Sequence, residues 1–539
     1  MRRSVLLLAL ISAFTFFLGV GRPAISDSDE GFYAEAAREM VADGDWLTPH
    51  FNYEERWQKP VLYYWLTAAT FAATGPSEWA ARWWSALAGL GLVLLTWAAA
   101  RRLDTSDDAA WLAGAIAATC YGYFAMARLA LPDLPLTFCI TLVIWSALER
   151  RWTIAGVGAG LGLLMKGPVA LVVPGIVLAP IWWRERGTTT VRMRDLATVA
   201  LVCALIALPW YGAMTLRHGV EYLQSFLIGD NLERFATDRF NAPRAIWFYI
   251  PILIGGMLPW SVYLVTLPWP SVGSVVRGRR RLTDGEWRLL LWAFVPLLFF
   301  TISIGKQPRY ILPVLPPLAI LLARSITTRI AGAGADGRSR LAVATWGTAA
   351  LYVVVAILLY RARPILIASY PLLTATGVAL FAASAVALAW IATSRRWRLL
   401  PATATICAAV LLLSMQFGGL AGLRPEPVER MADLVRANRT SGEPVGTYRA
   451  FVRNLVFYTR FKQMDLFSEG LALDFLQSPD RVLLVVRAAD LPRLEAISGV
   501  TARTLGQVQY LNTANVRLRT LIAPIPAQDL ETVLLVTNR

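Results

Sequence analysis

The stretch V-L-L-L-A-L-I-S-A-F-T-F-F-L-G-V-G-R-P-A-I-S-D-S-D-E-G-F-Y, residues 5–33, sets the reading of the whole chain. An apolar run long enough to cross a bilayer ends at Pro23, and three carboxylates, Asp27, Asp29 and Glu30, follow at once. Ionisable groups at a membrane edge are expensive and tend to face cavities or substrates. Arg2 and Arg3 precede the run, but no small-x-small cleavage site lies before Gly19, so it reads as an uncleaved first helix.

The rest of the chain agrees with a membrane reading. Hydrophobic residues make up 56% of the sequence and charged residues 16%, where a soluble protein carries about a quarter charged. Apolar runs of roughly 17–25 residues recur, giving about thirteen crossings in an all-α polytopic domain over residues 1–423. The segment 154–165 is short and Gly-rich and reads as a partial or re-entrant span.

The net charge of +16 records topology rather than nucleic-acid binding. Arg2-Arg3, Arg101-Arg102, Arg150-Arg151, Arg184 to Arg194, Arg277 to Arg281, Arg324 to Arg340 and Arg395 to Arg398 fall in alternate connections. This positive-inside pattern puts the N-terminus in the cytoplasm and the C-terminus outside; only Arg361 and Arg363 dissent. The four cysteines lie in apolar segments without metal-ligand spacing, and His50 and His218 are too few for a histidine metal site.

After Leu423 the composition changes. R-P-E-P-V-E-R-M-A-D-L-V-R, residues 424–436, is amphipathic, and short β-rich runs such as E-P-V-G-T-Y and R-V-L-L-V-V follow. Residues 424–539 therefore read as an outer α/β domain with a capping or partner-recognition role.

The chemistry gathers in the outer loops. Residues 26–79 hold two interfacial helices rich in Trp, Tyr and Phe; the first begins near Ser28 or Asp29 and stops at Asp43-Gly44. R-L-A-L-P-D-L-P, residues 128–135, sets Asp133 between two prolines at the outer end of a span. Cations share that side: Lys59 in W-Q-K-P, Lys166 in M-K-G-P, and Lys306 with Arg309 in G-K-Q-P-R-Y. Each has a plainer role open to it, as a helix cap for the acids and as interfacial snorkelling for the lysines. Together they suit a lipid phosphate meeting a hydroxyl acceptor, the carboxylate taking the proton and the cations stabilising the departing phosphate. The loop 217–245, with Asp230, Glu233, Arg234, Asp238 and Arg239, reads as a lid or acceptor-facing segment. A transporter or flippase of lipid-linked sugars is the alternative, but it calls for midplane polar groups or inverted repeats, and neither is visible.

Five motifs in order carry a family likeness: D-E-x-x-Y (Asp29, Glu30, Tyr33), the K-P at 59–60, P-D at 132–133, K-G-P at 166–168 and P-R-Y-I-L-P at 308–313. Together they resemble the GT-C membrane glycosyltransferases of the protein O-mannosyltransferase and lipid A aminoarabinose transferase group. The resemblance implies inverting transfer of a sugar from a polyprenyl-phosphate donor to a lipid, glycan or protein acceptor at the periplasmic face of a bacterial inner membrane. It makes Asp29 the principal acid, helped by Glu30 and Asp133. Lys59, Tyr33, Arg309 and Tyr310 would contact the donor phosphate, with Lys306, Lys166 and Arg234 as further cations. The sequence departs from the aminoarabinose branch at Phe32 (arginine in that branch), Gln58 (glutamate) and Asn231 (histidine). A divalent metal is thus left without its family-type ligands, and no metal or nucleotide cofactor is expected from the motifs.

Overall fold

A computed structural model of the protein describes residues 2–103, 105–187, 190–233, 237, 243–267, 281–332, 335–366 and 369–539. Arg234, Asp238, Arg239 and the basic run 277–280 lie outside the described residues.

Long apolar helices dominate the first 423 residues. Among the described residues seven are long and apolar enough to cross a membrane, or up to nine if each of two bent pairs forms one span. The first pair, Asp107–Thr119 and Tyr121–Ala127, bends by 53°, and the second, Ile246–Gly256 and Trp260–Thr266, by 107°. In the second, Pro259 lies in the gap and cannot donate a helical hydrogen bond. The two breaks satisfy each other, because the Tyr121 N–H donates to the Leu258 carbonyl at 3.0 Å. Broken backbone inside an apolar bundle needs such a partner.

The Gly-rich segment is one continuous helix, Trp152–Lys166, and its glycines serve packing. A Cβ on Gly156 would meet Val202 at 2.7 Å, and one on Gly160 would meet Ile206 at 2.8 Å, both on helix Met193–Gln224. Small residues let two apolar helices approach where side chains would hold them apart. Fifteen residues rise only about 22 Å, short of a bilayer core of about 30 Å.

Two helices build the first outer loop. Helix Asp29–Asp43 starts at Ser28, whose hydroxyl accepts from the Glu30 N–H, and ends at Gly44, whose φ of 73° lets its N–H reach the Met40 carbonyl. A small hairpin of β1 (His50–Phe51) and β2 (Glu54–Glu55) follows. Its turn residues Asn52 and Tyr53 both have positive φ, as a tight hairpin demands. Helix Leu62–Thr74 completes the loop. The N-terminal end of helix 29–43 is clamped to helix Glu78–Arg102 through Glu30 and Arg82, both fully buried.

The C-terminal segment carries a five-stranded sheet in the order β4-β3-β5-β7-β6 (Met464–Asp465, Val445–Tyr448, Leu483–Arg487, Glu531–Thr537, Arg503–Tyr510). β3 runs parallel to β4 and β5, whereas β7 is antiparallel to both its neighbours. Val428, Met431, Ala432 and Val435 of helix Pro427–Asn438 cover one face, and Ala472, Phe475, Leu491 and Leu494 cover the other. Burial on both faces accounts for the unbroken apolar run L-L-V-V in the central strand. This segment sits directly on the first outer loop. Asp27 accepts from the Val452 and Arg453 N–H groups, Asn454 donates to the Ile25 carbonyl, and Asn52 exchanges two hydrogen bonds with Gln463.

Candidate active site

A cavity of about 640 Å³ opens where helix 29–43, the 128–135 turn, the K-G-P turn and the P-R-Y turn converge. Each turn is made by its own motif. Lys166 ends helix 152–166, Gly167 leaves it with φ of 91°, and Pro168 precedes helix Val169–Glu185. Only glycine takes that conformation freely, and a Cβ there would also strike the Phe226 ring at 2.7 Å. Pro132 leads into helix Asp133–Leu148, so Asp133 lies in a first turn, where the helix dipole favours a carboxylate. Pro308 opens the 3-10 turn Pro308–Val314 and presents Arg309 and Tyr310.

Arg309 is the hub. Its guanidinium pairs with Asp29 and, from Nε at 3.4 Å, with Asp133. Asp133 is also bound by Lys166, whose ammonium stands 5.1 Å from the centre of the Tyr310 ring. Two carboxylates and two cations therefore alternate across the cavity floor. Asp133 is buried at 4% exposure, whereas the Asp29 side chain is 39% exposed and open to the cavity. Burial works to raise the Asp29 carboxyl, but the charge and hydrogen bond of Arg309, with help from Arg453 and Lys166, hold it below the usual carboxylate value. Asp29 is thus an ionised carboxylate across the neutral range.

The walls have two characters. Ile140, Val169, Val172, Phe299, Phe300 and Pro313 form an apolar side next to Tyr310, whose ring packs on Phe300 at 5.8 Å. Opposite stand Phe32, Tyr33, Arg56 and Arg453. Tyr33 is held by Tyr64, stacked at 5.2 Å, and by Tyr63, edge-on at 5.4 Å.

Of the candidates from the sequence, Asp29, Tyr33, Lys59, Asp133, Lys166, Arg309 and Tyr310 all line this one cavity. Glu30 does not. It is wholly buried, it accepts from Arg82 at 2.7 and 3.1 Å, and it also accepts from Ser26 and the Ala130 N–H. Burial would raise its pKa, but Arg82 and these donors hold the carboxyl below its ordinary value. Its place is in a clamp that fixes the Asp29 turn to the Asp133 turn. Lys306 also turns away from the cavity, donating to the carbonyls of Ser303 at 2.6 Å and Arg244 at 3.4 Å. Arg234 lies outside the described residues. Asp230 and Asn231, in the π-helical turn Ser225–Glu233, do reach the cavity, as do Arg56 and Arg453, which the sequence reading passed over.

A bundle of apolar helices with a carboxylate-and-cation cavity beside an interfacial loop defines a class, the GT-C type of membrane glycosyltransferase fold. Residues 11–218 match the family model described as dolichyl-phosphate-mannose-protein mannosyltransferase. The undecaprenyl phosphate-alpha-4-amino-4-deoxy-L-arabinose arabinosyl transferase of Pseudomonas aeruginosa (strain LESB58) is 33% identical over 343 residues, which is 61% of this chain and 61% of that protein. Its namesake in Erwinia tasmaniensis is 31% identical over 347 residues, covering 62% and 61%. These matches thus span about three fifths of the relatives' length. In fold the likeness extends over the whole chain. ArnT from Cupriavidus metallidurans bound to undecaprenyl phosphate superposes with a TM-score of 0.71 at 21% identity, covering 99% of this chain and 98% of that one. The archaeal oligosaccharyltransferase AglB from Archaeoglobus fulgidus gives 0.55 at 13% identity, covering 93% and 68%. The chain is an ArnT-like protein of the GT-C type, and the likeness first read from its motifs holds in sequence and in fold.

Proposed function

We propose that the protein transfers a sugar, with inversion at the anomeric carbon, from a polyprenyl-phosphate donor to a lipid, glycan or protein acceptor at the outer face of the bacterial inner membrane. The observation that carries this reading is the Arg309 hub, a half-exposed Asp29 and a buried Asp133 sharing one guanidinium beside an apolar wall. The apolar side suits the first isoprene units of the donor, and Lys59, Lys166, Arg309 and Tyr310 suit its phosphate. The relatives' names and the undecaprenyl phosphate bound to ArnT support the same donor class here.

The chemistry then follows from charge. An acceptor oxygen attacks the anomeric carbon from the face opposite the phosphate. The bond from that carbon to the phosphate oxygen breaks, and the polyprenyl phosphate leaves with the electron pair. Asp29 orients the acceptor hydroxyl and takes its proton. Its carboxyl is held low by Arg309, so it is a weak base and accepts the proton late, as positive charge builds on the attacking oxygen. Asp133 positions Arg309 and Lys166 rather than meeting the sugar.

The residues present do not fit a divalent metal of the family type. Asp29 and Asp133 are already bonded to Arg309 and Lys166, and Gln58 and Asn231 stand on the cavity wall where the resemblance would place a glutamate and a histidine. Among the described residues no group of three His, Cys, Asp or Glu side chains comes together. No step is derived through a metal.

Topology follows the same reading. Thirteen crossings from a cytoplasmic N-terminus would put residues 424–539 outside as an α/β domain. The contacts of that segment with Ile25, Asp27 and Asn52 of the first outer loop support it. The test of the function is transfer from labelled polyprenyl-phosphate sugars by the reconstituted protein, with the anomeric configuration of the product read by NMR. Inversion supports the reading; a retained configuration, or use of nucleotide sugars instead, overturns it.

A further inference from the structure

We infer that the C-terminal segment completes the active site, delivering Arg453 to form with Arg56 an oxyanion subsite for the acceptor, distinct from the cations that serve the donor phosphate. The inference rests on the proposed transferase reading and extends it to the charge of the acceptor.

The placement is built. Arg453 lies more than four hundred residues from Asp27, yet the loop at 449–454 is fixed to the start of helix 29–43 through its backbone. Asp27 accepts from the Arg453 N–H at 2.8 Å and from the Val452 N–H at 3.2 Å, and the Asn454 side chain donates to the Ile25 carbonyl at 2.8 Å. Gly31 is required for this approach, since a Cβ there would come within 2.3 Å of the Arg453 carbonyl oxygen. Arg449 and Phe451 both hold φ near the left-handed region, at 58° and 54°. Such conformations cost energy in non-glycine residues and persist where the surroundings impose them. Here Phe451 is anchored in the core beneath the sheet.

The result is a pair of guanidinium groups on one aromatic ring. Arg56 stands 3.9 Å and Arg453 5.1 Å from the centre of the Phe32 ring, and all three residues line the cavity. Lys166 and Arg309 are neutralised by Asp133 and Asp29, but among the described residues neither Arg56 nor Arg453 has a carboxylate within ion-pairing distance. The Arg56 Nε is buried without a hydrogen-bond partner. Two like charges brought together and left without a counter-ion call for an anion, and arginine forks match phosphate or carboxylate oxygens. Asp29 lies between the two cation groups, where an acceptor held by Arg56 and Arg453 would present its hydroxyl toward the donor's sugar.

The test uses the full-length protein in nanodiscs, saturated with undecaprenyl phosphate. Inorganic phosphate is titrated and followed by 31P line broadening, and 13C-labelled glucuronate is titrated in parallel; the arm that binds tells phosphate from carboxylate. Wild type is expected to bind one of these oxyanions, Arg453→Ala to weaken that binding by about tenfold or more, and Arg453→Lys to restore part of it. The affinity for undecaprenyl phosphate should stay within about twofold. Equal oxyanion affinity in wild type and Arg453→Ala, no oxyanion binding to the donor-saturated wild type, or an equal loss of undecaprenyl phosphate binding in the variant would each overturn the inference. Failure of wild type to bind undecaprenyl phosphate would instead sink the donor reading, and the same titrations on lipid-free protein would still decide the Arg453 subsite.

Discussion

Replacing Glu30 by Gln separates architecture from chemistry at adjacent residues. Arg82 is 1% exposed and makes five hydrogen bonds, three to the carbonyls of Val20, Pro23 and Ala24 and two to Glu30. A glutamine in place of Glu30 would leave this guanidinium without its counter-charge. It would also turn an NH2 group toward donors now satisfied by the carboxylate, the Ser26 N–H and hydroxyl on one oxygen or the Ala130 N–H on the other. Removing one partner of a buried pair costs about 3–5 kcal/mol. Glu30→Gln should therefore lower the thermal midpoint in detergent by on the order of 5–10 °C. Asp29→Asn should shift it far less, because Asp29 is half-exposed and Arg309 keeps Asp133. The assay is thermal unfolding of both purified variants followed by size-exclusion chromatography, beside sugar transfer at a temperature where each is folded. A Glu30→Gln protein with wild-type stability but no activity would refute the clamp and return Glu30 to the chemistry.

Other outcomes follow from the same geometry. Glu39 is buried beside Glu35, and burial followed by that like charge pushes its carboxyl up to about 8 from an ordinary 4.5. The folded state then binds more protons than the unfolded state between those values, so stability falls as pH rises through that window. Glu39→Gln removes the slope, and its unfolding midpoint should exceed wild type at pH near 9 and approach it near pH 5, as thermal scans at both pH values would read. Arg309→Lys keeps a charge but cannot fork between Asp29 and Asp133, so kcat should drop by about a hundredfold while donor KM changes little. Gly31→Ala gains helix propensity but meets backbone at 2.3 Å; overpacking of about 1–3 kcal/mol outweighs the gain, and proteolysis should release the C-terminal segment sooner.

The parts of the site that were legible in the sequence were those carried by local punctuation. K-G-P, P-D and P-R-Y are helix–turn junctions, and proline and glycine fix the turn while the charged neighbour is left at its rim. Alternation of arginines told which turns share a side, and in the structure those turns meet at one cavity. Adjacency in sequence misled at Glu30 and Lys306. Successive residues on a helix point about 100° apart, so the neighbour of a cavity-facing Asp29 faces the bundle. Lys306 precedes Arg309 by one tight turn and caps carbonyls instead. Arg453 and Arg56 were missed because their placement is tertiary. The signal that could have found Arg453 is Gly31 inside an otherwise good helix, which marks a close backbone approach but does not say by what. The bends at Cys120 and Pro259 were likewise hidden, since each is offset by a hydrogen bond to the other broken helix.

The central claim is that Asp29 and Arg309 perform sugar transfer from a polyprenyl phosphate. It is tested most directly by single-turnover transfer from labelled polyprenyl-phosphate sugars in nanodiscs, comparing wild type with Asp29→Asn. The account predicts transfer or release of sugar by wild type and a loss of at least about a hundredfold in a folded variant that still binds undecaprenyl phosphate. A fully active Asp29→Asn protein would contradict it and leave Asp29 as no more than an anchor for Arg309.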